Sequence, residues 1–168
     1  MRILVYGFGP YRKWKTNITE SIAQRLPDLP GLKKIVFKVD FDAAQFQDTI
    51  RTFKPELVIG MGQCARGRKI RIERKAINQM AKKRSEKPVA IKKNGIKSIP
   101  TSYKIQPGPW SRKSYYAGKY VCNYSMYIML DELSSSGSKF AFIHVPAKFD
   151  LGRATAFVKK IISVAKQN

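Results

Sequence analysis

Leu57-Val58-Ile59-Gly60-Met61 is apolar on both of the faces that alternate along an extended chain, the pattern of a strand covered from both sides in a parallel sheet. Ile3 to Tyr6 and Phe140 to Val145 repeat it. Helical patterns separate these runs. Asn17 to Leu26 places Ile18, Ile22, Ala23 and Leu26 on one stripe behind a Thr16 or Asn17 cap. In Asp42 to Phe53, Ala43, Phe46, Ile50 and Phe53 recur at three and four residues before Lys54-Pro55 ends the helix. Two further helices are expected, from Val121 to Leu133 and near Ala154 to Ala165. Lys33 to Val39 offers a fourth strand, and Lys69 to Asn78 reads as extended, with Ile70 and Ile72 facing away from Arg71 and Glu73. Strands alternating with helices predict an α/β layered sandwich with a mostly parallel central sheet.

At 168 residues the chain is expected to be a single domain, 1–168, with enough apolar side chains, 43%, to fill a core. Global disorder is excluded. Against 33 Lys and Arg stand 11 Asp and Glu, a formal charge of +22 that some polyanion or acidic surface must feel. Cys64 and Cys122 are too far apart in sequence for a C-x-x-C pair, and His144 is the only histidine, so neither a conventional zinc site nor a disulfide framework is expected. No cofactor is called for. No run approaches the ~20 apolar residues of a membrane span, and the reading is a cytoplasmic protein without membrane attachment.

Ligands of open α/β sheets bind beyond the carboxyl ends of the strands. Those ends read Gly7-Phe8-Gly9-Pro10-Tyr11, Gly60-Met61-Gly62-Gln63 and His144-Val145-Pro146. Gly60 to Ala65 also fits the dinucleotide fingerprint G-x-G-x-x-A. Six basic residues from Arg66 to Lys75 follow it, however, where a phosphate-receiving helix should begin. A lone histidine is ordinarily a satisfied core residue, and a cysteine such as Cys122 ordinarily a small buried apolar one. Yet Cys122 falls at the start of the third helix, where the partial positive charge favours a thiolate. Glu73, alone among six cations, reads first as a neutralising surface acid; a Cys–His pair nonetheless needs a group to orient its imidazole, commonly a carboxylate. The interval Lys82 to Lys97, with seven basic residues, one acid and no period, reads as a solvated loop, continued by irregular chain over the sheet edge to Trp110.

Four motifs in this order resemble the pyroglutamyl peptidases, cysteine peptidases of α/β/α sandwich fold. They are Gly7 to Tyr11 with Asn17, Gly67 to Asn78, Ala117 to Tyr127 and Phe142 to Pro146. The resemblance implies a three-layer α/β/α sandwich in which Cys122 is the nucleophile, His144 its general base and later acid, and Glu73 the group orienting His144. It further implies that Phe8, Tyr11, Asn17, Tyr120 and Val121 line the pocket for the pyroglutamyl ring. Peptides with an N-terminal pyroglutamate are then the substrates, hydrolysed through a thioester. Two stretches depart from the family. Ala81 to Pro88 replaces its loop after the glutamate block, and the segment after Pro146 is short. These departures leave room for a relative acting on another N-acyl or lactam substrate, and the charge for a basic polyanion-binding protein without peptidase activity. The sequence says nothing of oligomeric state.

Overall fold

The computed structural model describes residues 1–12, 14–83 and 85–167. Six strands form the central sheet: β1 (Ile3–Phe8), β2 (Leu32–Phe37), β3 (Leu57–Cys64), β4 (Ile70–Glu73), β7 (Ser111–Ser114) and β8 (Lys139–Pro146). Their order is β2-β1-β3-β8-β4-β7. All neighbours run parallel except β4 against β8. A separate antiparallel pair joins β5 (Lys75–Ile77) to β6 (Ser98–Pro100).

Alternation along β1 divides the core. Ile3 and Val5 pack with one face of α1 (Ile18–Arg25) and α4 (Leu151–Gln167), through Ile22, Val158 and Ile162. Leu4 and Tyr6 pack on the opposite side with α2 (Ala43–Phe53) and α3 (Val121–Glu132), through Phe46, Met126 and Tyr127. Helices on both faces of a mostly parallel sheet make the α/β/α sandwich that the apolar runs and the resemblance predict.

The helix starts follow local chemistry. Asn17 caps α1 by accepting from the Thr19 amide, and Asp42 caps α2 by accepting from the Ala44 amide. The single extended segment expected over Lys69 to Asn78 is instead two strands. Arg74 carries the chain from the main sheet to the small one. The strand β7, in a stretch without apolar period, supplies the sheet's far edge.

The basic interval is an exposed loop, as expected, but one pinned to its neighbours. Asn78 brackets Lys92 through both ends of its amide, at 2.8 and 2.9 Å, and Met80 pairs with Val89. Tyr127 of α3 donates to the Ile96 carbonyl at 2.9 Å, and Lys92 reaches Asp131 at 2.8 Å. Asn123 then fixes Ile77 and Gln79 with three bonds of 2.9 Å. The segment is thus held against α3 along most of that helix. Arg84 lies outside the described residues.

Candidate active site

The antiparallel register of β4 on β8 pairs Arg71 with His144 and Glu73 with Phe142. Residues two apart share a face, so all four side chains stand on one side of the sheet. There His144 Nδ1 and Glu73 Oε1 are 2.8 Å apart, both side chains being almost wholly buried. Arg71 Nε stands 3.4 Å from the same oxygen, too poorly aligned for a hydrogen bond, and acts on Glu73 as a charge. The Phe142 ring meets the imidazole edge-on at 5.1 Å.

Cys122 enters from the layer above, as the second residue of α3. The third partner is the absence of a side chain. Gly62 lies beside His144 in the parallel register of β3 and β8. The place a β-carbon would take on it is 2.6 Å from Cys122 Sγ and 3.0 Å from His144 Nε2. Sulfur and ring nitrogen therefore both border the space over the Gly62 backbone that only glycine leaves open. Gly60, one step back on the same face, is kept bare by the Tyr6 hydroxyl and the Phe142 ring, 2.6 and 2.5 Å from its absent β-carbon. The two glycines of the dinucleotide-like motif thus make room for the Cys–His pair and for its packing, and β4 rather than a helix follows.

Burial sets the protonation of the pair. It pushes the Cys122 thiol well above its ordinary pKa, with Cys64 and Glu73 adding to the rise and Arg71 opposing it. It likewise pulls His144 below its ordinary value, against the raising effect of the Glu73 carboxylate. Burial would raise Glu73 too, but the His144 bond, the Ser114 hydroxyl and Arg71 together hold it below the usual carboxylate range. These directions favour a neutral thiol and a neutral imidazole over the ion pair, with Glu73 ionised. The thiolate favoured by the helix N-terminus alone is outweighed by desolvation.

Of the residues assigned to the pyroglutamyl pocket, Tyr11 and Tyr120 line an open cleft of about 470 Å³ with Arg12, Lys83, Glu86 and Lys119. Their rings are 5.2 Å apart, and the Arg12 guanidinium covers both at 4.9 and 5.4 Å. Phe8 and Val121 are core residues, Phe8 touching Tyr6 and Phe46 edge-on. Asn17 is buried and committed locally. Its Oδ1 accepts from the Thr19 amide and hydroxyl, and its Nδ2 donates to the Gly9 carbonyl at 3.0 Å, which fixes the Gly9–Tyr11 turn.

The sequence marks Gly62 and Gln63 only as a strand end and a dinucleotide-like motif, and gives Arg71 and Asn123 no part in the site. Gly62 and Arg71 complete the site, Gln63 ties β3 to the start of α1 by accepting from the Ile18 amide at 2.9 Å, and Asn123 braces α3. A bare position one strand away from a candidate histidine was the legible signal for Gly62.

Fold and side chains together define a class: an α/β/α sandwich carrying a Cys–His–Glu constellation at the strand ends. A sequence profile of the pyroglutamyl peptidase family matches residues 1–151, and the chain belongs to that family. A pyrrolidone-carboxylate peptidase of Saccharolobus islandicus is 30% identical, across 87% of this chain and 79% of its own length. That of Pyrococcus furiosus is 32% identical across 87% and 81%. A solved structure of a mutant pyrrolidone carboxyl peptidase from P. furiosus superposes with a TM-score of 0.87, covering 99% of both chains at 24% identity, a likeness of fold.

Proposed function

We propose that this chain is a cysteine omega-peptidase that removes an N-terminal pyroglutamyl residue from peptides. Membership of the pyroglutamyl peptidase family supports the reaction. The single observation that supports these residue roles is that Cys122 Sγ and His144 Nε2 border the same space over Gly62, while His144 Nδ1 stands 2.8 Å from Glu73.

Starting from the neutral pair, Cys122 Sγ attacks the pyroglutamyl carbonyl carbon while its proton passes to His144 Nε2. Glu73 accepts the hydrogen bond from Nδ1–H throughout and, still ionised, stabilises the imidazolium that forms. The tetrahedral oxyanion is received by first-turn amides of α3, which begins without a side-chain cap on those groups. Collapse breaks the carbon–nitrogen bond, Nε2 gives its proton to the leaving amine, and a thioester remains on Cys122. Water, losing a proton to Nε2, then attacks the thioester; pyroglutamate leaves and the sulfur regains its proton.

The ring is uncharged and flat, suited to the aromatic wall of Tyr11 and Tyr120. Phe8 and Val121 back that wall, and Asn17 acts by holding the Gly9–Tyr11 turn in place. At 5.2 Å the two tyrosine rings are too close to admit a lactam between them, so binding displaces one, with Arg12 following.

The test is hydrolysis by the purified protein of a fluorogenic pyroglutamyl amide beside its prolyl and glutamyl counterparts. Release from the pyroglutamyl compound alone is expected. Hydrolysis of a different N-acyl or lactam amide in its place, or of none, would overturn the assignment.

A further inference from the structure

The charge of this chain is unevenly placed. Between Leu57 and Leu130 lie 17 of the 33 cations but only two of the 11 acids, Glu73 and Glu86, and Glu73 is buried against His144. Asp28, Asp40, Asp42 and Asp48 instead surround β2 and α2, at the opposite edge of the sheet. Five of those cations lie at the β7 edge. Arg112 and Lys113 are exposed on β7 itself, and the register that sets Ile70 beside Ser111 brings exposed Arg66, Arg68 and Lys69 to its start.

A second, independent feature falls on the same edge. Trp110, Tyr115 and Tyr116 are 51, 62 and 56% exposed, and they are the exposed aromatic side chains of the described residues. All three lie within seven positions that also hold Arg112 and Lys113. Behind Trp110, between the 103–111 segment and α4, runs a groove of about 540 Å³. Ile105 and Phe157 line it, Lys104, Arg153 and Lys160 supply cations, and the Arg153 guanidinium lies 4.4 Å from the Trp110 ring centre. The nearby acid Asp150 is occupied in accepting from the Arg153 amide at 2.7 Å.

We propose that the β7 edge and this groove form a binding surface for single-stranded nucleic acid, which runs from Trp110 through Tyr115 to Tyr116, where it meets the wall of the Tyr11–Tyr120 cleft. Exposed rings offer faces on which unpaired bases stack, and cations between them neutralise the phosphates that link those bases. Charge alone would suit any polyanion; the rings select a strand whose bases are free. A strand rises about 3.3 Å per residue, so Trp110 and Tyr115 stand roughly 17 Å apart, a span of several nucleotides. Ribose and deoxyribose strands present the same two features.

Anisotropy titrations of labelled 20-nucleotide single strands, RNA and DNA, and of the matching duplex, across a salt series, test this. The wild type binds both single strands more tightly than the duplex at equal salt. Replacing Trp110 and Tyr115 together by Ala weakens single-strand binding by at least tenfold with the salt slope unchanged. Exchanging Arg112 and Lys113 for Ser flattens the log–log slope by about 1.4, the value for two lost phosphate contacts. Removing two cations from the other edge, Arg25 and Lys38, leaves both quantities alone. Thermal midpoints of the variants check folding, which the exposure of these positions favours. Equal losses from the two edges, a duplex bound as well as a single strand, or capture of anionic vesicles or acidic peptides without oligonucleotide would overturn the proposal.

Discussion

His144 and Glu73 face each other across 2.8 Å, wholly within the sandwich, whereas Arg12, Lys83 and Lys119 stand around an open cleft that neither residue lines. The floor was built by strand register and by one missing side chain; the rim was built by loops. Inside, His144 and Glu73 hold each other in a low-dielectric surrounding, so a change of one charge or one carbon is felt in full. At the rim, water and salt reduce every interaction to a bias. The two regions must therefore answer mutation on different scales.

The largest effect belongs to the sulfur. Cys122→Ala should lower kcat/KM by ~10⁴-fold or more, as removal of a nucleophile does, while Cys64→Ala stays within about twofold. Iodoacetamide should inactivate the wild type through Cys122, with peptide mapping to locate the adduct. Full activity in Cys122→Ala would place the chemistry elsewhere.

Glu73→Gln comes next, with an expected fall in kcat of about 10²–10³-fold and little change in KM, since the amide holds the ring but no longer balances its charge. Its pH profile is more telling. Burial holds His144 below its ordinary pKa near 6.5, so the acid limb of wild-type kcat/KM should lie below that pH. Glu73 is the group that raises His144, and its neutralisation should move the limb to still lower pH. An unmoved limb would reduce Glu73 to a packing residue.

Gly62→Ala tests the floor without touching a titratable group. The new methyl would stand 2.6 Å from Sγ and must drive sulfur and imidazole apart, costing ~10²-fold in kcat/KM, with ~1–3 kcal/mol of stability lost to overpacking. Wild-type kinetics in a folded Gly62→Ala protein would contradict the convergence.

The alternating apolar runs made the core strands readable, because β1, β3 and β8 are covered on both faces and carry little polar interruption. Edge strand β7 was not readable, since Ser111-Arg112-Lys113-Ser114 is the polar sequence an exposed edge needs and has no apolar period. The split at Arg74 and the bracing of the basic interval by Asn78 and Asn123 are tertiary outcomes that local pattern does not encode. The triad types were visible as candidates, but their meeting depends on the β4–β8 register, which joins residues 71 positions apart. Gly62 was visible and misleading, because the same G-x-G spacing serves a phosphate in one fold and a sulfur in this one.

The smallest effect belongs to the rim. Peptides with Asp or Glu after the pyroglutamate should be preferred a few-fold in kcat/KM at low ionic strength, through the cations of the cleft and the Lys82–Lys97 interval. The preference should fade as the Debye length shrinks to ~10 Å near 0.1 M salt. Lys83→Ser with Lys119→Ser should remove it, and equal ratios for acidic and neutral peptides at every salt would leave the rim without a part in selection.

The central claim is that Cys122 carries the acyl group through the reaction. Acid quenching during turnover of a pyroglutamyl substrate, followed by peptide mapping by mass spectrometry, should find a hydroxylamine-labile pyroglutamyl thioester on Cys122 and none on Cys64. Steady turnover with Cys122 unmodified, or the acyl group on Cys64, would contradict the account.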